Sequence, residues 1–190
     1  MTMDVREAID RRRAFRSLKP IVVDDDLVSD LARCAGLAPS CFNSQPWRFV
    51  FVDDAEQIAR MRDVLTDGNK WAHRASLIVA VFSREEDDCV IHTRKYHQFD
   101  CGLASGFLIL RAVELGFVAH PIAGFSPKKT RAVLGIPDEF EVITLIMIGA
   151  KDDELNPVLN DKQIALEKAR PPRLPLPEFA YRNRYPASSA

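Results

Sequence analysis

Residues 76–82 (SLIVAVF) and 141–150 (EVITLIMIGA) constrain this chain most. The first run is apolar at all but its leading position and rich in β-branched side chains. A strand of that kind has no face to give to water and must be covered on both sides. The second reads as another strong strand, and residues 47–52 (WRFVFV), apolar except for Arg48, as a third that is buried. A shorter apolar strand lies within 116–125 and leads to Pro121. Helical patterns fill the intervals. Val5, Ala8 and Ile9 share a face within 4–13, and Leu27, Leu31, Cys34, Ala35 and Ala38 repeat behind the cap Asp24 until Pro39. Residues 54–65 follow the strand at 47–52 directly. The longest pattern, 94–115, carries Phe99, Leu103, Phe107, Leu110 and Val113, with Gly102, Ala104, Ser105 and Gly106 allowing close approach of another backbone. Ser126-Pro127 starts one more helix with the cap and N1 proline in the favoured order, and 161–168 forms a short last one. Helices and strands alternate irregularly, which predicts an α+β or α/β layered domain of four or five strands. The long link from 52 to 76 has room for a helical crossover, so part of the sheet is expected to be parallel.

The chain has 190 residues, the scale of one domain. A core of that size needs no disulfide. The net charge of −1 argues against a global field for nucleic acid or a membrane surface. That total hides an asymmetry. Residues 11–20 contribute +5 and 168–190 contribute +4, which leaves −10 on the remainder. Cys34, Cys41, Cys89 and Cys101 lack C-x-x-C spacing, and the amino terminus shows no apolar signal stretch, so a reducing, cytoplasmic setting is expected. No run is long and apolar enough to span a bilayer. Beyond about residue 170, RPPRLPLPEFAYRNRYP excludes helix and reads as an extended arm with Leu174, Leu176, Phe179 and Tyr181 available for packing.

Three segments carry chemistry. Residues 38–47 (APSCFNSQPW) set two hydroxyls and two amides between a helix end and a strand start, enough to read a polar heteroaromatic edge or simply to build a turn. Arg11, Arg12, Arg13 and Arg16 are able to grip a phosphate through forked hydrogen bonds, or to end a helix in solvent. Residues 119–126 (AHPIAGFS) turn at Gly124 into a helix start, where free N–H groups can meet an acceptor or merely connect two elements. Neither a P-loop nor a Rossmann fingerprint occurs, so any phosphate here is held by side chains. His97 and Cys101 share a helix face, but no third metal ligand accompanies them. Trp71 and Tyr96 read as core or rim aromatics.

Taken in order, RRRAFR, LAPSCFNSQPWRFVFV, FDCGLASGFLILRAVELGF, HPIAGF, VLGIP, the strand ending IGA, and RLPLPEF resemble the FMN-dependent nitroreductase family over nearly the whole chain. The resemblance implies an α+β three-layer sandwich whose mixed, mostly antiparallel sheet is flanked by helices. It implies a homodimer with FMN at the subunit interface. Residues 1–170 would form the FMN-binding domain, and 171–190 an arm packed on the partner subunit. It places Arg12, Arg13, Arg16 and Arg173 at the FMN phosphate, with Arg16 also serving the flavin N1/O2 region, and Ala14 where many members have serine. Pro39, Ser40, Cys41, Asn43 and Gln45 would approach the flavin, largely from the partner. Pro121, Ile122, Ala123 and Gly124 would present backbone at flavin N5, with Ala123 where several members carry glutamate. Asn69, Lys70 and Trp71 would supply ribityl or ring contacts, and Asp100 would line the pocket. The implied activity is hydride transfer from NADH or NADPH through FMN to a nitroaromatic, quinone or enone by ping-pong turnover, with no catalytic side chain and no metal. The alternatives are a dehalogenating or flavin-fragmenting branch of the same fold, whose extra lid is hard to fit into the short 83–93 link, and a flavin-binding protein of low turnover.

Overall fold

Short polar side chains start most of the helices. In the computed structural model, which describes residues 3–186, the Asp4 carboxylate accepts the Glu7 N–H at 2.7 Å to begin α1 (Val5–Arg11). After the two-residue strand β1 (Leu18–Lys19), Asp24 caps α2 (Asp25–Gly36) in the same way. A 3-10 turn at Cys41–Asn43 leads into β2 (Arg48–Val52), and Asp54 caps α3 (Ala55–Arg62). A 3-10 stretch at Asp67–Arg74 precedes β3 (Leu77–Ser83). The link that follows holds a small hairpin, β4 (Val90–Ile91) with β5 (Arg94–Lys95), turning at His92 with φ 57°. Those pairings move the start of the longest helix, α4 (His97–Glu114), three residues past the expected position. β6 (Phe117–Ile122), α5 (Pro127–Leu134), β7 (Glu141–Lys151) and α6 (Asp161–Lys168) complete the elements. Ser126 caps α5 with Pro127 at its first turn, and Asn160 and Gln163 close a capping box on α6.

β7 is the axis of the main sheet. β3 and β6 flank it, β1 continues the β3 side beyond Leu77, and β2 lies outside β3. Every one of these pairings is antiparallel. The parallel component expected from the 52–76 link is not formed, because α3 and the 3-10 stretch bring the chain back along the face it left. β2 is also less buried than expected. It pairs on one side only, so Arg48 is exposed and Phe49, Val50 and Phe51 are half-buried.

Alternation along the two central strands builds two cores. Leu77, Val79, Val81, Ile146 and Ile148 face Leu31, Ala35, Ala104 and Leu108 of α2 and α4. Ile78, Ala80, Leu145 and Met147 face Ile58, Met61 and Trp71 on the other side. Side chains pack on both faces of β3 and β7, as the apolar runs require, and three layers result.

Candidate functional site

Positive charge converges where the two chain ends meet. Arg12, Arg13, Arg16, Arg170 and Arg173 line a cavity of about 300 Å³ together with Ala14, Leu166 and Pro171. The backbone brings them there. The Glu167 carboxylate is buried and accepts the N–H groups of Arg16 at 2.7 Å and Ser17 at 3.1 Å, clamping the 12–17 stretch to α6. Arg13 Nη2 donates to the carbonyls of Leu166 at 2.7 Å and Glu167 at 3.1 Å, and its guanidinium lies 4.4 Å over the Phe15 ring. Arg170 donates to the carbonyls of Asp10 and Arg12. Arg13 and Arg170 therefore spend part of their donor capacity on the fold, whereas Arg12, Arg16 and Arg173 keep theirs. None of the five forms an ion pair with a carboxylate among the described residues. Burial, and then the neighbouring Arg173 and Arg170 charges, hold Arg12 below the ordinary arginine range. Burial lowers Arg16 too, against the opposing pull of Glu167. Clustered like charges with no ion-pair partner, and only the Glu167 carboxylate as nearby negative charge, are what an anion relieves.

The second part adjoins the first. Arg16 lies 6.0 Å over Trp71, which is fully buried and stacks on His120 at 4.6 Å. Trp71 Nε1 donates to Asn69 Oδ1 at 3.1 Å, and Asn69 Nδ2 donates to the Gly124 carbonyl at 2.9 Å. Thr66 adds its N–H and Oγ1 to the same carbonyl, each at 3.0 Å. A Cβ on Gly124 would lie 2.4 Å from Asn69 Nδ2 and 2.7 Å from Thr66 Oγ1, so glycine is needed for this closure. Ala123 and Pro121 are exposed, Ile122 is buried, and the N–H groups of Ala123 and Gly124 have no acceptor among the described residues. Burial pushes His120 down to about 4, so its ring is neutral and its Nδ1–H donates to the Phe15 carbonyl at 3.0 Å. Lys70 instead pairs with Asp67 on the surface.

The third part lies elsewhere in this subunit. Pro39, Asn43 and Gln45 are exposed, and Ser40 and Cys41 are half-buried. Phe42, Asn43 and Gln45 all have positive φ, a conformation rare outside glycine and held here by the Gln45 N–H bond to Ser40 Oγ at 2.9 Å and the Cys41 N–H bond to Asp100 Oδ2 at 2.7 Å. Asp100 is thus buried behind the segment. Pro46 accepts from Ser83 Oγ at 3.0 Å, and Ser83 pairs with Glu141 at one end of β7. Arg16 and Ser17 enter β1, whose Leu18 pairs with Lys151 at the other end. Those ends are about 33 Å apart at ~3.3 Å per residue. The structure therefore joins Arg12, Arg13, Arg16 and Arg173, connects Arg16 through Trp71 and Asn69 to the 121–124 turn, and holds the 39–45 segment toward the opposite end of β7 from the arginines.

Sequence reasoning missed Glu167 and Arg170 as clamps, since a carboxylate that binds backbone N–H groups leaves no motif. It also left the cysteines as four separate thiols. Cys41 and Cys89, 48 residues apart, form a disulfide, a pairing set by tertiary approach rather than by spacing. Burial raises the Cys101 thiol to about 12, and neither it nor His97 belongs to a metal-binding cluster among the described residues.

The result is a three-layer α+β sandwich with an arginine-lined cavity connected through Trp71 and Asn69 to a glycine turn whose amides are free among the described residues. The sequence pattern of the nitroreductase family matches residues 9–83. A crystal structure of an oxidoreductase containing FMN is 30% identical, with a TM-score of 0.82 over 94% of this chain and 91% of its own. A relative from Archaeoglobus fulgidus, whose name pairs NADH dehydrogenase with NAD(P)H nitroreductase, is 29% identical over 150 residues, 75% of this chain and 83% of its own. The 5,6-dimethylbenzimidazole synthase of Rhodospirillum rubrum is 28% identical over 188 residues, 84% of this chain and 87% of its own. The chain belongs to the nitroreductase family.

Proposed function

We propose that the protein is a homodimeric FMN-dependent oxidoreductase that takes hydride from NADH or NADPH and passes it to a small acceptor such as a nitroaromatic, quinone or enone. The observation that carries this reading is the arginine cavity. Its guanidinium groups form no ion pairs among the described residues, and a phosphate monoester supplies two negative charges in a shape that forked donors match. FMN held there would supply the hydride-transfer chemistry. Arg12, Arg16 and Arg173 bind the phosphate, with Arg13 completing the wall. Arg16, over Trp71, also sets positive charge near the ring system. Asn69 and Thr66 fix the Gly124 carbonyl so that the Ala123 and Gly124 N–H groups remain free to orient the ring. Ala123 brings no carboxylate to this pocket and leaves it open to neutral and anionic acceptors.

The distance of Pro39, Ser40, Cys41, Asn43 and Gln45 from the arginine cavity supports a shared site in which a second copy supplies them. Phe99 and Phe107 on α4 are exposed, Gly102 and Gly106 have open space where a Cβ would stand, and Val5, Leu37, Phe107 and Leu110 line an apolar groove of about 330 Å³. Such a surface fits another copy of the chain. The exposed 171–186 arm fits the same reading, since its apolar side chains find no cover in their own subunit.

The likeness to a dimethylbenzimidazole synthase favours one competing reading, fragmentation of the flavin itself. The 83–93 link contains only a 3-10 turn and a two-residue hairpin, which leaves little lid to enclose a flavin for that chemistry. Steady-state oxidation of NADH and NADPH with menadione decides among the readings. The reductase oxidises the nicotinamide with catalytic turnover and keeps its FMN intact. Loss of FMN with formation of a benzimidazole, or negligible turnover by a yellow protein, contradicts it.

A further inference from the structure

We propose that Cys41 and Cys89 form a thiol–disulfide exchange site that holds the 39–45 segment when oxidised and releases it when a dithiol reduces the bond. Cys41 sits inside the segment, within the 3-10 turn Cys41–Asn43, and Cys89 sits on the 83–93 link. Their Cα atoms are 6.1 Å apart, in the range that bonded cysteines occupy. Both are half-buried, which leaves part of the pair open to a small dithiol. The other two cysteines are not involved, since Cys101 is buried and Cys34 lies on α2.

The surroundings suit exchange. The Cys89 N–H donates to Asp88 Oδ1 and the Cys41 N–H to Asp100 Oδ2, each at 2.7 Å, so a pair of aspartates holds the two cysteines. The second Asp88 oxygen is buried without a hydrogen-bond partner, and an Asp88 oxygen and both sulfurs lie within 4.8 Å of one another. Burial, reinforced by Asp100, raises Asp88 above the usual carboxylate range. In the step itself, an external thiolate attacks Cys89 Sγ, the Cys41 sulfur leaves with the bonding electrons and takes up a proton, and the second thiol of the dithiol resolves the mixed disulfide. Cys41 and Cys89 end as thiols, and the dithiol ends as a disulfide.

The mechanical consequence follows from the backbone. Three non-glycine residues of positive φ lie within four positions, and the bond to Cys89 is the covalent cross-link tying them to the 83–93 link. Without it the segment is held by hydrogen bonds alone, those of Asp100 and Arg48 from outside it and those of Ser40 and Ser44 within it. The effect on FMN rests on the flavin reading above, whereas the exchange and the release do not.

The test uses the full chain as purified. Peptide mapping without reductant after mild oxidation should recover a linked Cys41–Cys89 peptide pair, and dithiothreitol should remove it. Amide hydrogen exchange across residues 40–45 should then quicken by about tenfold or more, Cys89→Ser should match the reduced wild type, and dithiothreitol should leave that variant unchanged. Absence of the linked peptide, or equal exchange in the oxidised and reduced chains, overturns the proposal. FMN titration of both forms reads the consequence separately: no FMN binding by either form contradicts the flavin assignment and leaves the exchange result standing.

Discussion

His120 shows how one residue serves both fold and site. A histidine stacked on a buried tryptophan and donating to the Phe15 carbonyl is held neutral, because protonation would bury a charge beside Arg16. Its folded value of about 4 lies below the unfolded value of about 6.5. Between these limits the unfolded chain binds the extra proton, so its contribution to stability is complete above pH 6.5, falls as pH drops, and levels off below about 4. The loss approaches about 3 kcal/mol. Urea unfolding from pH 7 to pH 4 should show it, and His120→Phe, which keeps the stack, should give a flatter profile; parallel profiles for the two proteins would remove this account. Arg13 teaches the complementary point. Its place in RRRAFR marks it as a phosphate ligand, yet two carbonyls and a phenyl ring already hold it. Arg13→Ala is therefore expected to lower stability by about 1–3 kcal/mol as well as weaken FMN retention, and a variant with wild-type thermal stability would show that the clamp is incidental.

At the scale of elements, the junction from β6 to α5 depends on one missing methyl. Gly124→Ala should cost about 1–3 kcal/mol, since Asn69 and Thr66 must move and the carbonyl they hold loses its place. Asn69→Ala in the same chain should restore part of that loss in chemical denaturation, and additive losses would refute the closeness of the contact. The strands and helices were largely legible because each follows a local rule: continuous apolar runs in β3 and β7, caps at Asp24 and Ser126, and the N1 proline at Pro127. What escaped was set by neighbours distant in sequence. The hairpin at 90–95 formed where a helix start was expected, and β2 turned out half-exposed because its edge position depends on strand order, which no single strand encodes. The arginine site was legible as charge at both chain ends, but its geometry depends on Glu167, whose role exists only after α6 docks against residues 16 and 17. The Cys41–Cys89 pairing was invisible for the same reason.

At the scale of the whole molecule, the two halves of the site lie toward opposite ends of β7, so the proposed active unit contains two chains. Light scattering should give twice 21.4 kDa, and Phe107→Arg, placed in the apolar groove, should yield a monomer that loses its FMN; a monomer that keeps it would show that one chain completes the site. The central claim is that the convergent arginines are a phosphate site. Paired titrations of the flavin-free protein with FMN and with riboflavin, which differ only in the phosphate, test it most directly. FMN should bind about 100-fold tighter or more, as two charge-assisted contacts would confer, with the preference collapsing in Arg16→Ala and Arg173→Ala. Equal affinity for the two flavins, or a preference unchanged in both variants, would contradict it.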